Sequence, residues 1–206
     1  MNPSREAERR KEDELALARE LMAGDPGAFE RFVDLYHGKI FRYSFSMCGQ
    51  REDAEEVAQE TLMKAFENLA QLREPEHLKS WVFRIAKNAC LSKRRKSVFA
   101  PVRELSLEEL RPQRDGESGE LDIADWSALP ESAAQNAELR AALNQAVQAL
   151  PDLYRAIFLL RDVEEMSTAE AAHILGVSAD VVKTRLHRAR LMLRSALDAH
   201  LKGVRS

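Results

Sequence analysis

Between Ser178 and Arg190 the polar residues Lys183, Thr184, Arg185, His187, Arg188 and Arg190 interleave with Val182, Leu186 and Ala189. At helical spacing this leaves one face apolar and the other hydroxylated and cationic. A helix of that kind can set its first turns against base edges in a DNA major groove while later cations neutralise phosphate. His187 fits that face or a plain solvated surface, and nothing marks it as a metal ligand. A second stretch sets Trp81 and Phe83 beside Arg84, Lys87, Asn88 and the run Lys93, Arg94, Arg95 and Lys96. Cations with aromatics suit an unstacked single strand, whose phosphates need charge and whose bases need a flat apolar surface. The competing interpretation is a core tryptophan beside a solvated face, with the final cations favouring a helix C-terminus. Residues 84–96 and 183–194 contain no acid.

Other chemistries lack their residues. There is no Gly-rich phosphate loop, no nucleophile signature and no cluster of His and carboxylates at ligand spacing, so no catalytic residue or cofactor is assigned and an enzyme is not expected. The two cysteines, Cys48 and Cys90, have no partner at zinc-ligand spacing, which argues against a metal site or disulfide framework. Both fall in apolar helical patterns and read as packing residues, with a redox role left open. The Met1 end is polar, and no window approaches the roughly 18 apolar residues of a membrane span, which predicts a cytoplasmic protein with no membrane segment.

The elements that must position the two basic stretches are helical throughout. Residues 1–12 are charged or polar and are expected to fray, and Leu15, Leu17, Leu21 and Met22 mark a short helix stopped by the Gly24 to Gly27 cluster. Phe29, Phe32, Val33, Tyr36, Ile40 and Phe41 recur at helical spacing in a second helix, an aromatic stripe that reads as core. Asp53 to Leu69 forms a third, with Ala54, Val57, Ala58, Leu62, Ala65, Phe66 and Leu69 on one face and Glu55, Glu56, Gln59, Glu60, Met63 and Lys64 on the other. After a loop with Pro75, a fourth helix from Leu78 to about Lys96 turns Trp81, Val82, Ile85, Ala89 and Ser92 inward.

From Ser97 to Pro130 no useful apolar period survives. Residues 102–130 hold eight acids against three bases, interrupted by Leu105, Leu107, Leu110, Leu121, Ile123 and Trp126. This is a flexible acidic linker, either a solvated tether or a segment that docks when a partner is present. Beyond it Leu139, Leu143, Val147 and Leu150 share a face, Pro151 starts another helix that runs through Leu160, and residues 167–195 read as a helix-turn-helix. Ser167-Thr168-Ala169-Glu170 fits a capping box, Gly176 stands where the chain leaves the first helix, and Ser178 can cap the second. The expectation is an all-α protein of two small domains, residues 13–97 and 131–201, joined by 98–130. Its net charge of −3 confines any DNA site to local patches.

Asp53-Ala54-Glu55-Glu56-Val57-Ala58-Gln59-Glu60-Thr61, Trp81 to Asn88, Leu150-Pro151 and Gly176-Val177-Ser178 through Arg190 resemble the extracytoplasmic-function sigma factors of bacterial RNA polymerase, in order and spacing. The resemblance implies a four-helix region 2 domain and a helix-turn-helix region 4 domain. It implies docking of core RNA polymerase on the face holding Asp53, Glu56, Gln59, Glu60 and Met63. It places Leu78, Trp81, Arg84, Lys87, Asn88, Lys93 and Arg94 near the minus-10 strand, where a base is flipped from the stack. It assigns Ser178, Lys183, Thr184, Arg185, His187, Arg188 and Arg190 to minus-35 promoter DNA, and an anti-sigma factor as a further partner. The chain departs from the family pattern at Ser92, where an acid is common, at Leu78, where an aromatic is common, and at Val181, where a small hydroxyl residue is frequent. The rival is a stand-alone transcriptional regulator that binds duplex DNA as a dimer on spaced half-sites.

Overall fold

A computed structural model describes residues 3–95 and 133–204, with side chains placed at residue 5 and at 8–93 and 141–198. The expected linker at 98–130 and the side chains of Arg94 and Leu139 lie outside the described residues. Eight α-helices follow in order: α1 Pro3–Ala23, α2 Ala28–Cys48, α3 Arg51–Glu67, α4 Leu78–Arg95, α5 Ala133–Ala149, α6 Asp152–Phe158, α7 Thr168–Leu175 and α8 Ala179–Val204. Single 3-10 turns at Leu69–Gln71 and Pro75–His77 join α3 to α4, and a π turn at Leu159–Val163 follows α6. No strand occurs among the described residues.

In the first domain α2, α3 and α4 pack on one another and α1 lies across α2 and α4. Phe32, Tyr36, Ile40, Tyr43 and Met47 form the buried stripe of α2, and Tyr43 meets Phe83 edge to face with centroids 5.4 Å apart. Cys90 is buried and Cys48 packs against the same core, and neither forms a disulfide.

Three expectations are corrected. The first helix begins at Pro3 instead of Asp13. A proline suits a first helical turn, and the Arg, Glu, Lys and Ala that follow are good helix formers. Phe66 is 62% exposed because, at 100° per residue, it stands about 120° from Ala54 on the wheel. Thr61, close to Ala54 on the same wheel, is buried in its place. Ser92 is exposed, and Phe83, Ala86 and Cys90 complete the inner face of α4.

The second domain wraps α5, α6 and α7 around α8. The helix expected to continue through Leu160 instead widens into the π turn. The capping box forms as expected: Glu170 N donates to Ser167 Oγ at 3.2 Å, and Ser167 N donates to Glu170 Oε2 at 2.7 Å. Gly176 sits at φ +67°, the left-handed conformation that favours glycine, and its N–H closes α7 on Ala172 O.

The two domains touch: α4 packs on α7, and α2 packs on α5 and α6. Glu164, 6% exposed, is buried where they meet. Removal from water pushes its carboxyl above the ordinary value of 4.5, against the pull of Lys79, Lys39 and Arg42 and with a push from Glu14. An acid whose folded pKa is raised costs stability as the pH rises above its unfolded value, and the cost is complete once the pH exceeds the folded value. Glu164→Gln is therefore expected to raise the thermal midpoint at neutral pH by a few degrees. The advantage over the parent should shrink as the pH falls through the raised folded value toward 4.5 and be gone below it, a comparison that circular dichroism melts across pH can make.

Candidate nucleic-acid interface

The helix-turn-helix is fixed from both ends. Ser178 Oγ accepts from Val181 N at 3.3 Å and starts α8, while Val182, Leu186, Ala189, Leu193 and Leu197 bury its inner face. A five-residue stripe of this kind sets the rotation of α8, and with it the direction of everything outward. Lys183, Thr184 and His187 are exposed on the first three turns, Arg185 and Arg188 are half-buried beside them, and Ser178 is exposed at the start. Lys183 Nζ lies 3.3 Å from Asp180 Oδ1 in an exposed ion pair that costs little to break.

Arg190 has a different role from its neighbours. Its Nε and Nη2 donate to Asp162 at 2.8 and 2.6 Å, a two-point pair that ties α8 to the π turn. The hydrogen bond to Asp162 raises the guanidinium pKa further, with burial opposing it. Arg190 thus positions the helix that carries Lys183 and His187. The expected helix through Leu160 hid this contact, because it is the widened turn that aims Asp162 at α8.

On α4 the expected residues separate into two layers. Leu78 and Trp81 are 2% and 6% exposed and belong to the core, whereas Arg84, Lys87 and Lys93 are half-buried and Asn88 is exposed. Arg84 and Lys87 reach the second domain: Arg84 Nη1 lies 2.9 Å from His173 Nε2, and Lys87 Nζ donates to Ile174 O at 3.3 Å. Between the turns after α3 and the start of α7 lies a cleft of about 520 Å³, lined by Arg73, His77, Trp81 and Arg84 on one side and Glu170 and His173 on the other. Lys93 turns the other way and pairs with Asp53 at 3.3 Å and with Glu56. The hydrogen bond to Glu56 holds the Lys93 ammonium above the ordinary lysine range, with Asp53 adding to it.

The polar face of α3 is as the spacing predicted. Glu56, Gln59 and Met63 are exposed, Asp53 and Glu60 half-buried, and Glu60 Oε1 accepts from Lys64 at 2.5 Å. The sequence pattern missed Phe66, which extends this face beside Met63 and packs edge-on against Phe29 with centroids 4.8 Å apart. It also missed Gln148, Arg155 and Lys79, whose bonds between the domains join residues about a hundred positions apart in the chain. No group of three or more His, Cys, Asp or Glu able to hold a metal occurs among the described residues. No helix among them is long and apolar enough to cross a membrane.

Comparison with known proteins agrees with this geometry. Residues 32–98 match the Sigma-70 region 2 family and residues 140–193 the Sigma-70, region 4 family. The ECF RNA polymerase sigma factor SigW of Bacillus subtilis is 32% identical over 179 residues, which cover 87% of this chain and 94% of that protein. Among solved structures, CnrH in complex with the cytosolic domain of CnrY shares the fold at a TM-score of 0.61 and 24% identity, covering 90% of this chain and 97% of that one. The sigma factor RpoE of Bartonella quintana, in complex with the anti-sigma factor NepR, does so at 0.60 and 24%, covering 84% and 98%. A cation-bearing helix α4 and a helix-turn-helix on two packed domains, matched in order by regions 2 and 4 and by a relative that aligns along almost its whole length, place this chain in the extracytoplasmic-function family of RNA polymerase sigma factors.

Proposed function

We propose that residues 13–97 dock core RNA polymerase through α3 and read the melted minus-10 strand with α4, and that residues 131–201 read minus-35 duplex with the start of α8. The observation that carries the proposal is the capped helix-turn-helix, which leaves Lys183, Thr184 and His187 outward on the first turns of a 26-residue helix. Arg and Lys contacts to guanine are the commonest specific ones, and each is worth about 1–3 kcal/mol of discrimination. Arg84, Lys87 and Asn88 supply charge and hydrogen bonds along the minus-10 strand, Lys93, on another side of α4, and Arg94 add further contacts near the helix end, and Leu78 and Trp81 support the helix from the core. The exposed Glu56, Gln59 and Met63, flanked by Asp53 and Glu60, form the polymerase face, and Phe66 adds apolar surface at its edge.

The protein acts by binding and not by catalysis, works in the cytoplasm, and is held in check by an anti-sigma factor. The likeness in fold to RpoE, solved with the anti-sigma factor NepR, supports that last assignment. In vitro transcription tests the whole reading. Promoter-specific transcripts should appear only when core polymerase and this protein are combined, and tight duplex binding by the protein alone would favour a stand-alone regulator instead.

Charge reversal by Lys183→Glu with Arg188→Glu should leave core binding intact and lower transcription from promoters that depend on the minus-35 element by about tenfold or more, in line with the cost of losing a base contact. Gln59→Ala with Glu60→Ala should weaken binding to core polymerase while the helical signal stays unchanged, and an unaltered affinity would show that α3 is not the docking face. Arg190→Ala should instead lower the thermal midpoint, because it removes the tie to Asp162, with helix α8 losing its anchor before it loses any base contact.

A further inference from the structure

The cleft of about 520 Å³ between the turns after α3 and the start of α7 has the size that encloses a small ligand. Two guanidiniums line it, those of Arg73 and Arg84, and neither pairs with a carboxylate among the described residues. Arg73 is exposed, whereas Arg84 is half-buried with an imidazole as its partner, Nη1 lying 2.9 Å from His173 Nε2. A guanidinium has no lone pair to offer and is always charged, so His173 Nε2 is the acceptor of that bond and carries no proton. A charge drawn partly out of water against a neutral acceptor is incompletely compensated, and an anion is the partner that completes it.

The acids at the rim are engaged on their own elements. Glu74 Oε2 lies 3.0 Å from His77 Nε2, and the Glu170 carboxylate turns back on Ser167 N at 2.7 Å within the capping box. Beneath the cations the floor is apolar, since Leu72 and Trp81 line the same space and are otherwise buried. Gln71 donates to Asn68 Oδ1 at 2.8 Å, which leaves its own side-chain oxygen as an acceptor at the edge. Cations above an apolar floor, in a space larger than an inorganic anion fills, suit an anion carried on a flat body.

We infer that this cleft is a binding site for a free nucleoside phosphate, with the phosphates on Arg73 and Arg84 and the base against Leu72 and Trp81. Each guanidinium can offer a phosphate two parallel N–H donors. His173, from the second domain, is the positioning residue that holds Arg84 toward the cleft. The inference stands apart from the assignment of α4 as the strand reader: it concerns the free protein, and Arg73 and His173 belong to neither the DNA set nor the polymerase set. A ligand bound by the folded, packed protein and not by the unfolded chain raises the thermal midpoint by mass action.

Trp81 lines the cleft and the only other tryptophan is Trp126, so the full chain carrying Trp126→Phe reports on the site through its remaining indole. The probes are GTP, ATP, inorganic pyrophosphate and guanosine, each followed by Trp81 fluorescence and by calorimetry. Both nucleotides should bind at one site per chain, change the Trp81 emission and raise the thermal midpoint by a few degrees at about a hundredfold excess over Kd. Pyrophosphate and guanosine should each bind at least about tenfold more weakly than GTP, because each lacks one half of the contacts. Arg73→Ala, at an exposed position, should lower nucleotide affinity about tenfold with the circular dichroism melt of the ligand-free protein unchanged. His173→Ala should lower it by a smaller factor, through Arg84. Absence of saturable nucleotide binding up to about 1 mM, or affinity indifferent to Arg73→Ala, would overturn the site. Pyrophosphate binding as tightly as GTP would overturn the nucleoside assignment, and full affinity in His173→Ala would overturn the part given to the second domain.

Discussion

The arrangement depends on one buried guanidinium. Arg155, 5% exposed, donates from Nε to Val147 O at 3.0 Å, from Nη1 to Met47 O at 2.9 Å and from Nη2 to Leu150 O at 2.7 Å, and it also bonds Gln148 O. A charge taken out of water must find partners for its donors, and the carbonyls at a helix end must find donors. Arg155 answers both demands at once, joining the ends of α2 and α5 to α6. The planar fork of the side chain fixes the angles at which those three helices meet. Because α8 packs on α5 and α6, the helix that carries Lys183 and His187 inherits its place from this junction.

From there the placement of Lys183 and His187 follows in steps. The capping box starts α7 and Gly176 ends it, which sets the angle between α7 and α8. The pair from Asp162 to Arg190 then fixes α8 against the π turn. These are short-range devices, each worth on the order of 1 kcal/mol, and they matter for direction more than for stability. A rotation of α8 by one residue would turn Lys183 and His187 toward the core and Val182 outward.

Much of this was legible in the residues and some was not. The caps, the stripes of α2 and α8 and the polar face of α3 depend on neighbours three or four positions apart, and the sequence displays such neighbours directly. Phe66 shows the limit of that logic: its spacing from Leu62 suits a core face, but the wheel drifts and leaves it exposed beside Met63. Arg155, Gln148 and Lys79 were illegible because their partners are backbone carbonyls in the other domain, which have no residue signature. A cation on an outer face looks the same in sequence whether it meets a phosphate or an aspartate, so the pair of Arg190 with Asp162 is not legible there. Trp81 was open between strand and core in the sequence, and burial by the flanking turns places it in the core.

The ion pairs of Lys93 connect the two faces of the first domain. Asp53 and Glu56 belong to the surface assigned to polymerase, and Lys93 to the track assigned to DNA. While the pairs persist, each face neutralises part of the charge of the other. A partner that draws on the acids of α3 therefore leaves an additional cation at the end of α4, and a strand that draws on Lys93 leaves the acids available to a basic partner. Such reciprocity is what thermodynamic linkage requires when two ligands share charged groups.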